Sequence, residues 1–222
     1  MIIAFVSQKG GVGKSTLAIS LAWELQARGH RVLAVDADPQ GTLRVTGEVA
    51  AETGQAAPSI VALGKDMYRP DQLPTLARSF DYVVIDTPGR LGDVQRAALM
   101  VADLALVPVG QSAADAWGVT QTLEAVQEAQ ILRPDLQARL VITRKLPRTS
   151  LGKSARDVAA TAPLPLLSAE TTYRVAWQEA LAAGCGVAQY APADAAAREL
   201  RAITDEVLAL NTRQSERLLA HG

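Results

Sequence analysis

The apolar positions of this chain gather in short continuous runs, separated by longer stretches where they recur at every third or fourth residue. Residues 1–6 are almost wholly apolar, and Leu17, Leu21, Ala22 and Leu25 then follow at helical spacing. The alternation continues along nearly the whole chain. Short apolar runs predict buried strands at 2–6, 31–36, 82–86, 104–108, 138–143 and 165–167. Amphipathic stretches predict helices at 14–28, 71–78, 92–101, 115–132, 151–160, 173–183 and 193–210. Strands alternating with helices specify a doubly wound α/β fold, a mostly parallel sheet with crossover helices on both faces. Residues 41–65, rich in Gly, Ala, Thr and Glu, fit a short helix or a mobile loop equally well.

Between the first strand and the first helix stands Gln8-Lys9-Gly10-Gly11-Val12-Gly13-Lys14-Ser15-Thr16. Strand, glycine loop and helix come in the order of a phosphate-binding loop. The general pattern is Gly, four residues, Gly, Lys and then Ser or Thr; here Gly13, Lys14 and Ser15 match, and Gln8 replaces the first glycine. Glycines let the backbone turn with its N–H groups inward, and the helix N-terminus adds partial positive charge towards the phosphates. Lys14 would meet the β- and γ-phosphates, and the Ser15 hydroxyl would ligate Mg²⁺.

In an open parallel sheet, ligands bind at the carboxyl ends of the strands, so the residues that end each apolar run are where chemistry is expected. The second run ends in Asp36-Ala37-Asp38-Pro39-Gln40-Gly41, a rigid acidic turn. Tyr82-Val83-Val84-Ile85-Asp86, the third strand in this reading, ends in an acid before Thr87-Pro88-Gly89. That fits a Walker B aspartate followed by a mobile switch: Asp86 would hold Mg²⁺ through a water, and Gly89 would let the segment follow the γ-phosphate. A further strand runs into Thr143, Arg144 and Lys145.

Composition narrows the function classes. A chain of 222 residues with 49% hydrophobic content suits one domain with one buried core. The formal charge of −1 and pI near 6.1 exclude nucleic-acid binding through the overall field, so any DNA contact must be regional. Such a region exists: residues 139–156 contain Arg139, Arg144, Lys145, Arg148, Lys153 and Arg156 and no acid. Lys145, Arg148, Lys153 and Arg156 are therefore the candidates for phosphate-backbone contacts, with a solvated basic face as the alternative. Arg174, Arg198 and Arg201 are possible extensions of that surface. Cys185 stands alone, which excludes an internal disulfide and gives no sign of zinc or iron-sulfur ligation. Neither a signal-peptide pattern nor a membrane-spanning run is present, so the expected location is the cytoplasm.

The string from Lys9 to Thr16, with its second lysine ahead of the loop, resembles the deviant Walker A loop of the ParA/MinD family. The likeness extends through the acidic turn, similar to the family's first switch motif, and into residues 174–184 and 195–200. It is strongest towards the short ParA type, close to plasmid-partition ParF-like proteins. By that resemblance the protein would be a slow, Mg²⁺-dependent ATPase binding ATP and ADP between two subunits. Lys9 would reach the partner subunit's phosphates, Asp38 would position the attacking water and Asp36 would support the Mg²⁺ environment. Gly10, Gly11, Val12, Gly13 and Thr16 would complete the nucleotide cradle. Thr143 and Arg144 would face the adenine, although family members often carry Asn where Thr143 stands. A ParB-like adaptor and non-specific DNA would stimulate hydrolysis, placing the ATP-bound form on the nucleoid, in service of plasmid or chromosomal segregation. The same machinery serves ATPases that position a protein organelle or a chemoreceptor cluster. A MinD-like membrane role is disfavoured, since the tail from Asn211 offers only Leu218 and Leu219 as bulky apolar residues.

Overall fold

The computed structural model describes residues 1–90, 92–111 and 119–220, and the side chains of all of these except 151 and 213–220. Six parallel strands form one sheet: β1 (Ile2–Phe5), β2 (Val32–Asp36), β3 (Ser59–Ala62), β4 (Tyr82–Asp86), β5 (Leu104–Val109) and β6 (Gln137–Ile142). Their spatial order is β3-β2-β4-β1-β5-β6. The predicted doubly wound α/β architecture is therefore the observed one.

Strand pleating divides the core in two. Ile3 and Phe5 of β1, Tyr82 and Val84 of β4, and Leu104 and Leu106 of β5 point to one face. Ala4, Val83, Ile85, Ala105, Val107 and Val109 point to the other. Both sets are buried, which is why these strands read as continuous apolar runs. The first face is covered by α1 (Lys14–Ala27), by α2 (Thr42–Thr53) and by the later helices α7 (Ala176–Ala182), α8 (Val187–Tyr190) and α9 (Ala195–Ala220). The second is covered by α3 (Leu73–Ala77), α4 (Asp93–Val101), α5 (Thr120–Leu132) and α6 (Ser150–Ala159).

Two expectations need correcting. Residues 41–65 are neither a lone helix nor a loop: they form α2, the edge strand β3 and the start of a 3₁₀ turn over Lys65–Tyr68. The strand Ser59–Ala62 has no fully buried residue, so it lacks the apolar run that marks the others. It makes Tyr82–Asp86 the fourth strand of the chain. Residues 165–167 do not form a strand; Leu166 makes only an isolated bridge to Leu140, because Pro165 within the segment and Pro163 just before it have no backbone N–H to give to a ladder. Of the helix expected over 115–132, residues 115–118 lie outside the described residues, and the final helix runs on to Ala220.

Placing β4 between β2 and β1 has a direct consequence for chemistry. Asp36 and Asp86 become register partners, and Phe5, three residues before Gln8, pairs with Asp86 on the other side. Three strand ends far apart in sequence thus form one row, at the point where the connection after β1 runs to one side of the sheet and the connection after β4 to the other.

Candidate functional site

The loop after β1 folds as its glycines dictate. Gly11 and Gly13 have φ of 74° and 85°, left-handed values that other residues adopt only with strain. A Cβ at Gly13 would also lie 3.5 Å from the Arg144 side chain. The loop is fixed from beneath on several sides. Val6 N–H donates to Leu106 O at 3.1 Å, Gln8 N–H to Thr122 Oγ1 at 3.1 Å, and Thr143 Oγ1 donates to Val12 O at 2.6 Å. Above it lies a groove of about 310 Å³. Its floor is formed by Lys9, Gly10, Gly11, Gly13, Lys14, Ser15 and Thr16, and its rim by Asp38, Thr42, Gly89 and Arg144. Val12 is buried below, its carbonyl taken by Thr143.

Lys14 and Asp86 form the electrostatic centre. The ammonium lies 3.2 Å from Asp86 Oδ1 and also donates to Thr87 O, with side chains 6% and 0% exposed. Burial pushes the Asp86 carboxyl above its ordinary range, while Lys14 and the Ser15 hydroxyl pull it back. Asp86 Oδ2 is buried with no hydrogen-bond partner among the described residues. A carboxylate oxygen left without a donor, with the Ser15 hydroxyl close to the same carboxyl, fits a cation that keeps most of its water shell, as Mg²⁺ does. Among the described residues no three His, Cys, Asp or Glu side chains converge.

Asp36 is placed differently. Its Oδ1 accepts from Asp38 N–H at 3.1 Å and its Oδ2 from Arg44 N–H at 3.0 Å, with the Arg44 guanidinium 3.4 Å away. These bonds shape the turn that carries Asp38 to the groove rim. Asp38 in turn accepts from Gln40 N–H at 2.9 Å through Oδ1 and from Gly41 N–H at 2.9 Å through its carbonyl. A buried acid thus orients a half-buried one.

Beside the loop a second groove is lined by Gly13, Thr16 and Leu17, by Thr143 and Arg144, and by residues 171–174, Trp177 and Gln178. Thr143 is 1% exposed, so it braces the loop from below while Arg144 overhangs it. Arg144 adopts φ 54°, donates from Nη1 to Gly11 O and lies over the Tyr173 ring at 5.2 Å. Its backbone N–H bonds Thr171 Oγ1 at 3.1 Å, which helps hold the unusual conformation. Sequence reading passed over Thr171, Thr172, Tyr173 and Trp177, because no local pattern links them to the loop. The link is a parallel bridge between Lys145 and Thr172. The Trp177 indole Nε1 is buried there without a hydrogen-bond partner among the described residues.

The basic run looks different once folded. Glu170, distant in sequence, lies 2.5 Å from Lys145 and 3.4 Å from Arg156, and Arg156 also donates to the carbonyls of Leu167 and Ser168. Arg148 and Lys153 are exposed and form no ion pair among the described residues. Arg174 is drawn to Glu199 at 3.6 Å and Asp194 at 3.9 Å.

Residues 3–185 match the model of the CobQ/CobB/MinD/ParA nucleotide binding domain. The chain belongs to that family. It is a ParA-type P-loop ATPase, as the phosphate loop and its relatives agree. The "Maintenance of carboxysome distribution protein A" of Halothiobacillus neapolitanus is 32% identical over 93% of this chain and 95% of its own length. The "Chromosome-partitioning ATPase Soj" of Thermus thermophilus is 31% identical over the same shares. Among solved structures, cobyrinic acid a,c-diamide synthase from Mycobacterium smegmatis with bound ADP and magnesium superposes with a TM-score of 0.67 and 25% identity, over 82% of this chain and 92% of that one. The septum site-determining protein MinD from Pyrococcus horikoshii, complexed with Mg-ADP, gives a TM-score of 0.73 at 21% identity over 96% and 98%. No helix among the described residues is long and apolar enough to cross a membrane.

Proposed function

We propose that this ATPase is a nucleotide-switched positioning protein that segregates plasmid or chromosomal DNA. It takes up ATP with Mg²⁺, pairs with a second copy of itself, associates non-specifically with DNA and hydrolyses ATP to ADP and phosphate when a ParB-like adaptor engages it. The observation that carries this reading is the convergence of Lys14, Ser15 and Asp38 on one groove above a left-handed glycine loop, with Asp86 buried against Lys14.

The chemistry follows from where charge and donors sit. The loop amides and Lys14 hold the phosphates and stabilise negative charge on the transferring phosphoryl group. Asp38, on the rim, accepts a hydrogen bond from the attacking water and sets its approach. Lys9, at the groove edge, reaches the phosphates bound by the second copy. Asp86 and Ser15 would hold Mg²⁺, which neutralises charge between the β- and γ-phosphates when bound. The base lies in the second groove, against Thr143, Arg144 and Tyr173. DNA contact falls to Arg148 and Lys153, which are exposed and form no ion pair among the described residues.

A second reading is supported by a specific likeness: the carboxysome-distribution relative matches this chain over as large a share as the chromosome-partitioning one, at one point higher identity. In that reading the same cycle positions a protein assembly. Partners recovered with the Asp38→Ala variant separate the two, as an adaptor bound to a DNA site or as a component of a protein organelle.

Light scattering with ADP, ATP, and ATP plus DNA tests the switch. ATP should double the mass, and DNA should raise it further. Asp38→Ala should keep the doubled state while phosphate release falls by about 100-fold. A mass unchanged by ATP, or an Asp38→Ala variant turning over at the parent rate, overturns the mechanism.

A further inference from the structure

Gln95 lies in the first turn of α4, on none of the strand ends, and is 0% exposed. Its Nε2 donates to two carbonyls from different parts of the site. One is Ser7 O at 3.0 Å, the last backbone oxygen before the phosphate loop. The other is Pro88 O at 2.5 Å, in the segment that follows Asp86. One carboxamide therefore ties α4 to the loop and to the candidate switch at once.

The surroundings make this tie consequential. Ser7 Oγ accepts from Lys9 N–H at 3.2 Å, so a shift of Ser7 reaches Lys9 directly. Thr87, next to Pro88, accepts from Lys14 through its carbonyl and donates to Phe5 O at 2.6 Å through its hydroxyl. Gly89 faces the loop closely enough that an added Cβ would sit 3.8 Å from the Gly10 Cα. Residues 87–89 and 7–14 are thus coupled through polar bonds, and Gln95 of α4 bonds both segments at once, whereas Thr122 of α5 bonds Gln8 alone.

Gln95 Oε1 is buried and has no hydrogen-bond partner among the described residues. Native proteins rarely leave a buried acceptor without a donor, so such a group calls for an explanation. Here both described donations come from Nε2, and Oε1 keeps its acceptor capacity.

We infer that Gln95 is a positioning residue that couples the phosphate loop and residues 87–89 to α4, so that α4 moves with the nucleotide state. This rests on the ATP-switched reading above. In one arrangement Nε2 holds Ser7 and Pro88 together, as seen. When residues 87–89 are drawn towards a γ-phosphate, the carboxamide follows Pro88, and Oε1 accepts a backbone N–H that the moving segment brings to it. A ligand can shift such an equilibrium only through contacts that differ between its two states, and the γ-phosphate supplies that difference. The altered tilt of α4 is then available on the protein surface.

The test compares the parent with Gln95→Leu and Gln95→Met, which keep the volume and the helix while removing both donations. ADP affinity, measured by titration calorimetry, should stay within about twofold, because the loop and Lys14 are untouched. The ATP concentration needed for the doubled mass should rise about tenfold, and kcat should fall about tenfold with KM little changed. Amide exchange on the parent gives an independent readout: ATP in place of ADP should alter protection at residues 88–90 and 94–98 together. If the parent responds to ATP but Gln95→Leu and Gln95→Met match it in midpoint and kcat, the coupling is wrong and the positioning function stands. Exchange changes confined to 88–90 likewise overturn it. If the parent itself shows no ATP response, the function reading falls and the coupling with it. Should one variant fail to fold, the other and the exchange experiment decide.

Discussion

The ends of β1, β2 and β4 and the end of β6 make one continuous mouth, yet they are built in opposite ways. On the β1 side each candidate residue lies at a strand end or in the loop and helix start that follow it, and backbone geometry does most of the placing: Gly11 and Gly13 turn the chain, Lys14 opens a helix, Asp86 closes a strand. On the β6 side the groove is assembled from Thr143 and Arg144 together with residues 171–178, joined by one bridge and a few side-chain bonds. The first region is specified locally; the second exists only after the chain has folded.

The strongest way to break that contrast is Lys14→Ala. In the proposed mechanism the lysine holds the phosphates, and in the fold it is the counter-charge of a fully buried acid; removing one partner of a buried pair costs about 3–5 kcal/mol. Nucleotide affinity should fall more than about 100-fold, the scale of a lost charge-assisted anchor, and the melting temperature should drop as well. Calorimetry and a thermal scan check both; an unchanged melting temperature would show that the pair with Asp86 is dispensable for the fold.

A smaller effect is expected where the tertiary structure has rewritten the sequence reading. Because Glu170 ties up Lys145 and Arg156, the double variant Arg148→Glu, Lys153→Glu should flatten the dependence of DNA affinity on salt, by about one unit of slope for each phosphate that the protein no longer neutralises. Glu170→Gln should act in reverse, freeing two cations and tightening DNA binding. Fluorescence anisotropy over a salt series measures both; equal slopes in all three proteins would make the basic run a solvated surface.

The smallest effect is at the surface far from either region. The Arg31 guanidinium holds the Asp81 carboxyl at about 2, well below the carboxylate range. A depressed folded-state value means that the pair stabilises the fold above the ordinary value near 3.8, and that this contribution fades as pH falls towards 2. Asp81→Asn should therefore flatten the acid limb of stability across that window, slightly, since the pair is exposed. Acid titration followed by circular dichroism reads it.

Several features were legible from the residues alone because their physics is local. A strand buried on both faces must be a continuous apolar run, so five of the six strands announced themselves. A glycine loop between strand and helix has few uses other than anion binding, so the phosphate loop itself was legible. β3 escaped because an edge strand needs no apolar run, and residues 165–167 are apolar yet form no strand because Pro165 lies within them and Pro163 just before.

What the sequence by itself determined is the doubly wound fold, the phosphate loop and the acids at the strand ends, since each follows from spacing within a few residues. Only the tertiary structure decided which cations of the basic run stay unpaired, which side chains line the second groove, and that Gln95 joins Ser7 to Pro88. The deciding contacts include pairs 25, 27 and 88 residues apart, and their partners are selected by strand order and helix packing, which no local pattern encodes.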